Sequence, residues 1–263
     1  AEFIERKRQE SLKVYLGYAA GVRKAYNMLQ DGLRLKQQHV DVVIGYLEPH
    51  DRPETMALAE HLETVPPREW RGGDAVFHEM DVEAILARKP QVVLVDELAH
   101  TNADGSKNDK RYSDVLEVLA QGINVISTIN VQHLESVAAR VEEATGIAVR
   151  ERIPDTVLRR ADQVVNVDVT KEELRERLRQ GKIYAPQQAE RALSSFFTYE
   201  NLSFLRELCL REASGDQVRE IEAQELLKPA LAGYAVEAVM VALSSWPTDA
   251  ESLIRRGVRM ANQ

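Results

Sequence analysis

One cysteine in 263 residues excludes an internal disulfide, so Cys209 points to a reducing, intracellular setting. Long apolar runs are missing too. The most apolar stretch, Pro229–Leu243, holds Glu237 and is 15 residues long, short of the roughly 20 that a transmembrane helix needs. The first residues, Ala1-Glu2-Phe3-Ile4-Glu5-Arg6-Lys7-Arg8, are charged throughout, so no signal peptide is expected. Positive charge is not in excess: 34 Lys plus Arg against 42 Asp plus Glu give a formal net charge of −8. That argues against nucleic acid as a main partner, because backbone binding needs clustered cations. Internal repeats and low-complexity segments are absent. What remains is ordinary for a globular chain, 44% apolar and 29% charged, and long enough for one large domain or one domain plus a fragment. The expectation is a soluble cytoplasmic protein.

Five short β-branched runs stand out: Leu12–Leu16, Val40–Tyr46, Gln91–Val95, Ile123–Thr128 and Gln163–Val167. Several are apolar at consecutive positions, as in strands buried on both faces. Helical periods lie between them, carried by Val22, Tyr26, Leu29 and Leu33, by a segment from Pro53 to His61, by Val115, Leu116 and Leu119, and by Leu134, Val137 and Val141. Strands alternating with helices predict a doubly wound parallel α/β sheet over residues 11–170. From Lys171 to Leu227 no strand candidate occurs. Leu174 and Leu178 suggest a helix ended by Gly181, and Pro186 opens another through Phe196 and Phe197. A long charged helix follows with Leu202, Leu205, Leu208 and Cys209 buried, interrupted near Gly215 and Asp216. Residues 171–227 therefore read as a helical extension. Ala238–Leu243, a turn at Ser244-Ser245-Trp246-Pro247 and a helix to Ala261 make a lone βα unit over 236–263, the front of a second α/β domain.

Chemistry concentrates after the first strand. Gly17-Tyr18-Ala19-Ala20-Gly21-Val22-Arg23-Lys24-Ala25 leads from a strand into a helix, the context in which backbone N–H groups cradle phosphate. Against G-x-x-x-x-G-K-[ST], Lys24 holds the lysine position. Tyr18 replaces the first glycine, Arg23 the second, and Ala25 the hydroxyl residue that would hold Mg²⁺. The plainer reading is a tight strand-to-helix turn made by Gly17 and Gly21. After the third apolar run, Val92-Val93-Leu94-Val95-Asp96-Glu97 ends in an acidic pair of Walker B type. There Asp96 would hold Mg²⁺ through water and Glu97 would orient an attacking water. The plainer alternative is helix capping. The carboxyl ends of the first and third strands are expected beside one crevice.

With these residues in view, the sequence resembles the N-terminal cytoplasmic domain of KdpD-type sensor histidine kinases, over about residues 11–215. The resemblance rests on Gly17–Lys24, Val95-Asp96-Glu97-Leu98-Ala99-His100-Thr101-Asn102 and Asn130-Val131-Gln132-His133-Leu134-Glu135-Ser136, with Gly105-Ser106, Lys110-Arg111-Tyr112, Gly181-Lys182-Ile183-Tyr184, Phe196-Phe197 and Asn201 to Arg211. Residues 238–262 are similar to the opening of a universal-stress-protein-like domain, which in some relatives binds a cyclic dinucleotide near the position of Ser244 and Ser245. The resemblance implies a P-loop NTPase type of sheet and an ATP-binding module regulating a kinase core that lies beyond transmembrane helices. It also implies protein partners, the kinase core or a response regulator, in control of a potassium-uptake operon. Membrane contact would come only through regions this chain does not contain. The nucleotide site would comprise Gly17, Gly21, Val22, Arg23, Lys24 and Ala25, with Asp96 and Glu97. Family members usually read AGVGKT at 20–25, ETHGR at Glu48-Pro49-His50-Asp51-Arg52 and PGS at Asp104-Gly105-Ser106. The first departure predicts ATP binding that is weak or lost, without magnesium, in a regulatory rather than catalytic module. The alternative is a working P-loop ATPase.

Other candidates carry less. His39, His50, His61, His78, His100 and His133 fall into no H-x-x-x-H spacing, so no metal site is expected. His100 and His133 follow neighbouring strand ends and would meet at the crevice or orient its loops, and Asn130 and Gln132 would satisfy a loop and cap the next helix. No G-x-S-x-G elbow supports a serine triad. Lys107, Lys110 and Arg111 form a basic cluster, either a solvated loop or a phosphate or partner contact. Arg140, Arg150, Arg152, Arg159 and Arg160 suggest surface ion pairs.

Overall fold

The computed structural model describes residues 10–48, 53–72 and 75–226. The expected unit at 236–263, with Ser244 and Ser245, and the loop residues Pro49 to Arg52 lie outside them. The chain divides into two compact units, Ala1–Val218 and Arg219–Gln263, and the sheet lies in the first.

In chain order the elements are β1 (Leu12–Gly17), α1 (Lys24–Gln37), β2 (Val42–Tyr46), α2 (Pro53–Ala59), β3 (Glu63–Thr64), β4 (Arg68–Gly72), β5 (Ala75–Glu79), α3 (Val82–Arg88) and β6 (Val92–Val95). There follow α4 (Arg111–Ala120), β7 (Asn124–Asn130), a 3₁₀ turn at Val131–His133, α5 (Glu135–Thr145), α6 (Asp155–Arg159), β8 (Gln163–Val167), α7 (Lys171–Arg179), α8 (Pro186–Ser194) and α9 (Tyr199–Leu226). Six strands form one sheet in the order β3-β2-β6-β7-β1-β8, and every pairing in it is parallel. β4 and β5 pair antiparallel as a separate ribbon.

The central strands are rich in Val, Ile and Leu, without interruption in β6, because helices cover both faces. Every residue of β2 and β6 is buried. The extension shares this core: Leu174, Leu178, Phe197, Leu202, Leu205, Leu208 and Cys209 join the same buried cluster as Val14, Leu94 and Ile129. At about 1.5–3 kcal/mol for each fully buried large apolar side chain, these contacts make α7 to the early turns of α9 part of the domain. Polar ties reinforce them. Arg206 pairs with Asp168, and the Cys209 thiol donates to Asn166 Oδ1 at 3.1 Å. Burial pushes that thiol up to about 12, so it is a packing group and not a nucleophile. Among the described residues, no helix is long and apolar enough to cross a membrane.

Several elements depart from the sequence reading. β3, the β4–β5 ribbon, α3 and α6 were not expected. α8 ends at Ser194, short of Phe197. α9 runs unbroken through Gly215 and Asp216, since one glycine costs a helix only about 1 kcal/mol. β7 also separates β1 from β6, so the loop-bearing and acidic strands meet at one crevice only across a strand that contributes side chains of its own.

Candidate functional site

β1 ends at Gly17, and the chain enters α1 at Lys24 after a turn with two left-handed residues, Gly21 at φ +87° and Arg23 at φ +73°. Glycine adopts this conformation freely, whereas an L side chain there costs about 1–2 kcal/mol. The surroundings fix the loop closely. A Cβ on Gly17 would lie 2.5 Å from Val22 Cγ2, and one on Gly21 would lie 2.1 Å from Ile183 Cδ1. Tyr18 is buried and its hydroxyl donates to the Val169 carbonyl at 3.0 Å. Lys24 Nζ donates to the Ala19 carbonyl at 3.3 Å and to Asn130 Oδ1 at 2.5 Å. Arg23 Nη2 lies 3.3 Å from Glu173 Oε1 on α7.

The acidic pair closes the opposite wall. Asp96 is buried; its Oδ1 accepts from the Thr128 hydroxyl, and its N–H donates to the Tyr46 carbonyl at 2.9 Å. Glu97 is left-handed at φ +56°, and its N–H donates to Thr128 Oγ1 at 3.0 Å. Leu98 N–H adds a bond to the Thr128 carbonyl at 2.9 Å. Thr128 of β7 therefore clamps the turn after β6. The crevice between the two walls is lined by Gly21, Arg23, Lys24, Ala25, Asp96 and Glu97, together with Thr128, Asn130, His100, His133 and Glu151. Of the eight candidate residues, six line it. Val22 is fully buried in the core, and Gly17 lies beneath Val22 and Lys24.

A charged cluster behind the acidic wall was not legible in the sequence. Glu79, buried at the end of β5, accepts from His100 Nε2 at 3.1 Å, Arg111 Nη2 at 3.0 Å and Ala103 N–H at 2.9 Å. Burial opposes its charge, but the hydrogen bond and charge of His100, the charge of Arg111 and the Ala103 N–H outweigh it and hold the carboxyl below its ordinary value. Arg111 is fully buried, its guanidinium 3.6 Å from the Tyr46 ring centroid. The expected basic cluster is therefore dispersed. Lys107 pairs with Glu117 at 2.5 Å, Lys110 bonds Thr101 at 2.6 Å, and Arg111 faces inward.

The two histidines meet at Glu151. His100 Nδ1 lies 3.8 Å from Glu151 Oε1, and His133 Nδ1 donates to the Glu151 carbonyl at 2.8 Å. Burial pulls the His133 pKa down against that bond, favouring a neutral ring with its proton on Nδ1. Asn130 does not cap the following turn but holds Lys24, while Gln132 Oε1 is buried with no hydrogen-bond partner. Among the outlying arginines, Arg152 pairs with Glu142 at 2.8 Å.

Residues 8–218 match the family described as the osmosensitive K⁺ channel His kinase sensor domain, KdpD. The chain belongs to this family. It is 49% identical over 253 residues to a putative sensor protein KdpD of Synechocystis, covering 95% of this chain and 67% of that protein. It is 47% identical over 265 residues to a sensor protein KdpD of Mycobacterium tuberculosis, covering all of this chain and 30% of that one. With the sensor protein KdpD of Escherichia coli it shares 41% over 254 residues, 96% of this chain and 28% of the relative. The chain thus spans under a third of the longer KdpD relatives.

Chemically, the crevice sets two cations, Arg23 and Lys24, against two carboxylates, Asp96 and Glu97. α1 has no side-chain cap and no acidic residue in its first turn, and its first residues Lys24 and Ala25 line the crevice, so the positive end of its dipole lies there uncompensated by its own helix.

Proposed function

We propose that this chain is the cytoplasmic sensor module of a potassium-responsive two-component kinase, and that its crevice holds the phosphates of a nucleotide, ATP, without efficient hydrolysis. The observation that carries this reading is Lys24 at the head of an uncapped helix, lining one crevice with Asp96. A helix N-terminus with an adjacent lysine suits phosphate. The order of strands, with β7 between the loop strand and the acidic strand, supports a P-loop type of sheet. Protein partners, the kinase core or a response regulator, would read the state of the loop through α7 and the turn after it, which meet it by way of Leu174 and Ile183 at Gly21 and Glu173 at Arg23.

Mg²⁺ does not fit the residues present. Ala25 puts a methyl where the loop needs a hydroxyl ligand, and Asp96 is already engaged by the Thr128 hydroxyl. One observation favours the alternative of a working ATPase, namely Glu97 beside Asp96 at the crevice edge.

Thermal denaturation with ATP, with and without Mg²⁺, tests the proposal. Occupancy at 100 times Kd adds about 2.7 kcal/mol of stability. Stabilisation without phosphate release is the expected result. Steady phosphate release would establish the ATPase. No shift with any nucleotide, alongside capture of a kinase core or response regulator, would leave a scaffold that binds only protein.

A further inference from the structure

We propose that Arg23 takes over the charge-balancing part of a divalent cation, so that the crevice captures polyphosphate anions without metal and Arg23 leaves Glu173 to do so. This rests on the phosphate-binding reading above and specifies how the site recognises its ligand.

Three observations converge on Arg23. It stands immediately before the lysine, where the phosphate-loop pattern calls for glycine, and its backbone keeps the left-handed φ of +73° that a glycine would supply. The loop geometry is thus retained and a cation added to it. The side chain lines the crevice beside Lys24. Its partner is weak: the contact to Glu173 is a single one at 3.3 Å between side chains 40% and 44% exposed. Such surface pairs contribute little, whereas a guanidinium meeting phosphate makes charge-assisted, two-pronged bonds. A polyphosphate entering the crevice therefore competes successfully with Glu173. The residue after the lysine, Ala25, lacks the oxygen that would anchor a metal, so Arg23 is the additional positive charge available beside Lys24.

Gly21 sets the limits of the motion. With Ile183 and Leu174 packed where its Cβ would lie, the backbone is held from above and the adjustment falls to the Arg23 side chain. Ligand capture would then release Glu173 near the start of α7.

The test is calorimetric titration of the full chain with pyrophosphate and with ATP, in EDTA and in Mg²⁺, with Lys24→Ala as the control for binding elsewhere. The wild type is expected to bind both probes with affinities that differ by no more than about threefold between EDTA and Mg²⁺. Arg23→Gln should weaken binding in EDTA about tenfold or more, the effect of a lost hydrogen bond to a charged group, while Arg23→Lys keeps most of it. Glu173→Gln, which removes the competitor, should tighten it a few-fold. In the double variant Arg23→Gly, Ala25→Thr, binding should become dependent on Mg²⁺. If Arg23→Gln or Arg23→Gly tightens binding in EDTA, Arg23 is a plug and the inference fails. Wild-type binding that requires Mg²⁺ also overturns it, and both results leave the phosphate crevice standing. If the wild type and the double variant bind neither probe, the phosphate-binding reading itself falls, and the role of Arg23 with it.

Discussion

Lys24 Nζ donates to Asn130 Oδ1 at 2.5 Å, tying the loop after β1 to the end of β7, 106 residues further along the chain. The bond fixes the lysine against the strand that separates the loop from the acidic wall, so crevice and sheet are positioned by one contact. Asn130→Ala is expected to cost about 1.5–3 kcal/mol in urea denaturation, the usual value of a hydrogen bond to a charged group. It should also weaken ATP binding, because the ammonium loses its alignment. A variant as stable as the parent, with unchanged affinity, would show that Lys24 is placed by its other contacts.

The left-handed backbone at Arg23 gives a second prediction. Arg23→Ala and Arg23→Gly both remove the guanidinium and its contact with Glu173, so their difference isolates the backbone. Glycine relieves the strain of φ +73° but adds freedom to the unfolded chain. The glycine variant should be about 0.5–1 kcal/mol more stable than the alanine variant, measured as a shift of the urea midpoint at constant slope. The reverse order would mean that the loop relaxes once the side chain is gone.

The same loop shows how far the sequence could be read. Short β-branched runs, several of them apolar at consecutive positions, marked every long strand of the sheet, and Gly17–Lys24 together with Asp96-Glu97 marked both walls of the crevice, because these signals are local. β3 was missed because Glu63-Thr64 is two residues long. β4 and β5 were missed because Arg68-Glu69-Trp70-Arg71 and an exposed Val76 and Phe77 do not read as a buried run. Glu79, Arg111 and Thr128 were invisible for a different reason. Each acquires its role from partners 15 or more residues away, and no spacing rule announces such pairings. Arg111 even misled, since a basic cluster in sequence gives no sign that one member is buried.

Glu79 carries a larger energetic consequence. It is the carboxylate facing the fully buried Arg111 guanidinium at 3.0 Å. Removing one partner of a buried ion pair leaves an uncompensated charge, which typically costs 3–5 kcal/mol. Glu79→Gln is expected to destabilise by about that amount and to loosen the turn at Asp96, whose carbonyl accepts from Arg111 Nη1 at 3.4 Å. Arg111→Met combined with Glu79→Gln should recover part of the loss, because the desolvated charge goes with it. A double variant worse than the sum of the two single ones would contradict an ion-pair origin.

The dependence of stability on pH follows from two depressed pKa values. For His133, burial lowers the folded pKa beneath the ordinary 6.5, so below that pH the unfolded chain binds a proton that the native ring resists. The unfolded state then holds more protons than the native state, and stability falls as pH falls. For Glu79 the folded pKa lies below 4.5, so its contribution is complete above that value and disappears as pH drops through the folded pKa. Asp114 acts in the opposite sense, since burial raises its pKa above 3.8 and its protonation favours the native state. Urea denaturation from pH 7 to pH 5 should therefore show a decline governed by His133, before the carboxylates titrate. His133→Gln should flatten the profile in this interval while leaving the steeper loss below pH 4.5 in place. If the decline from pH 7 to pH 5 persists in that variant, another group is responsible and His133 is not held neutral by the fold.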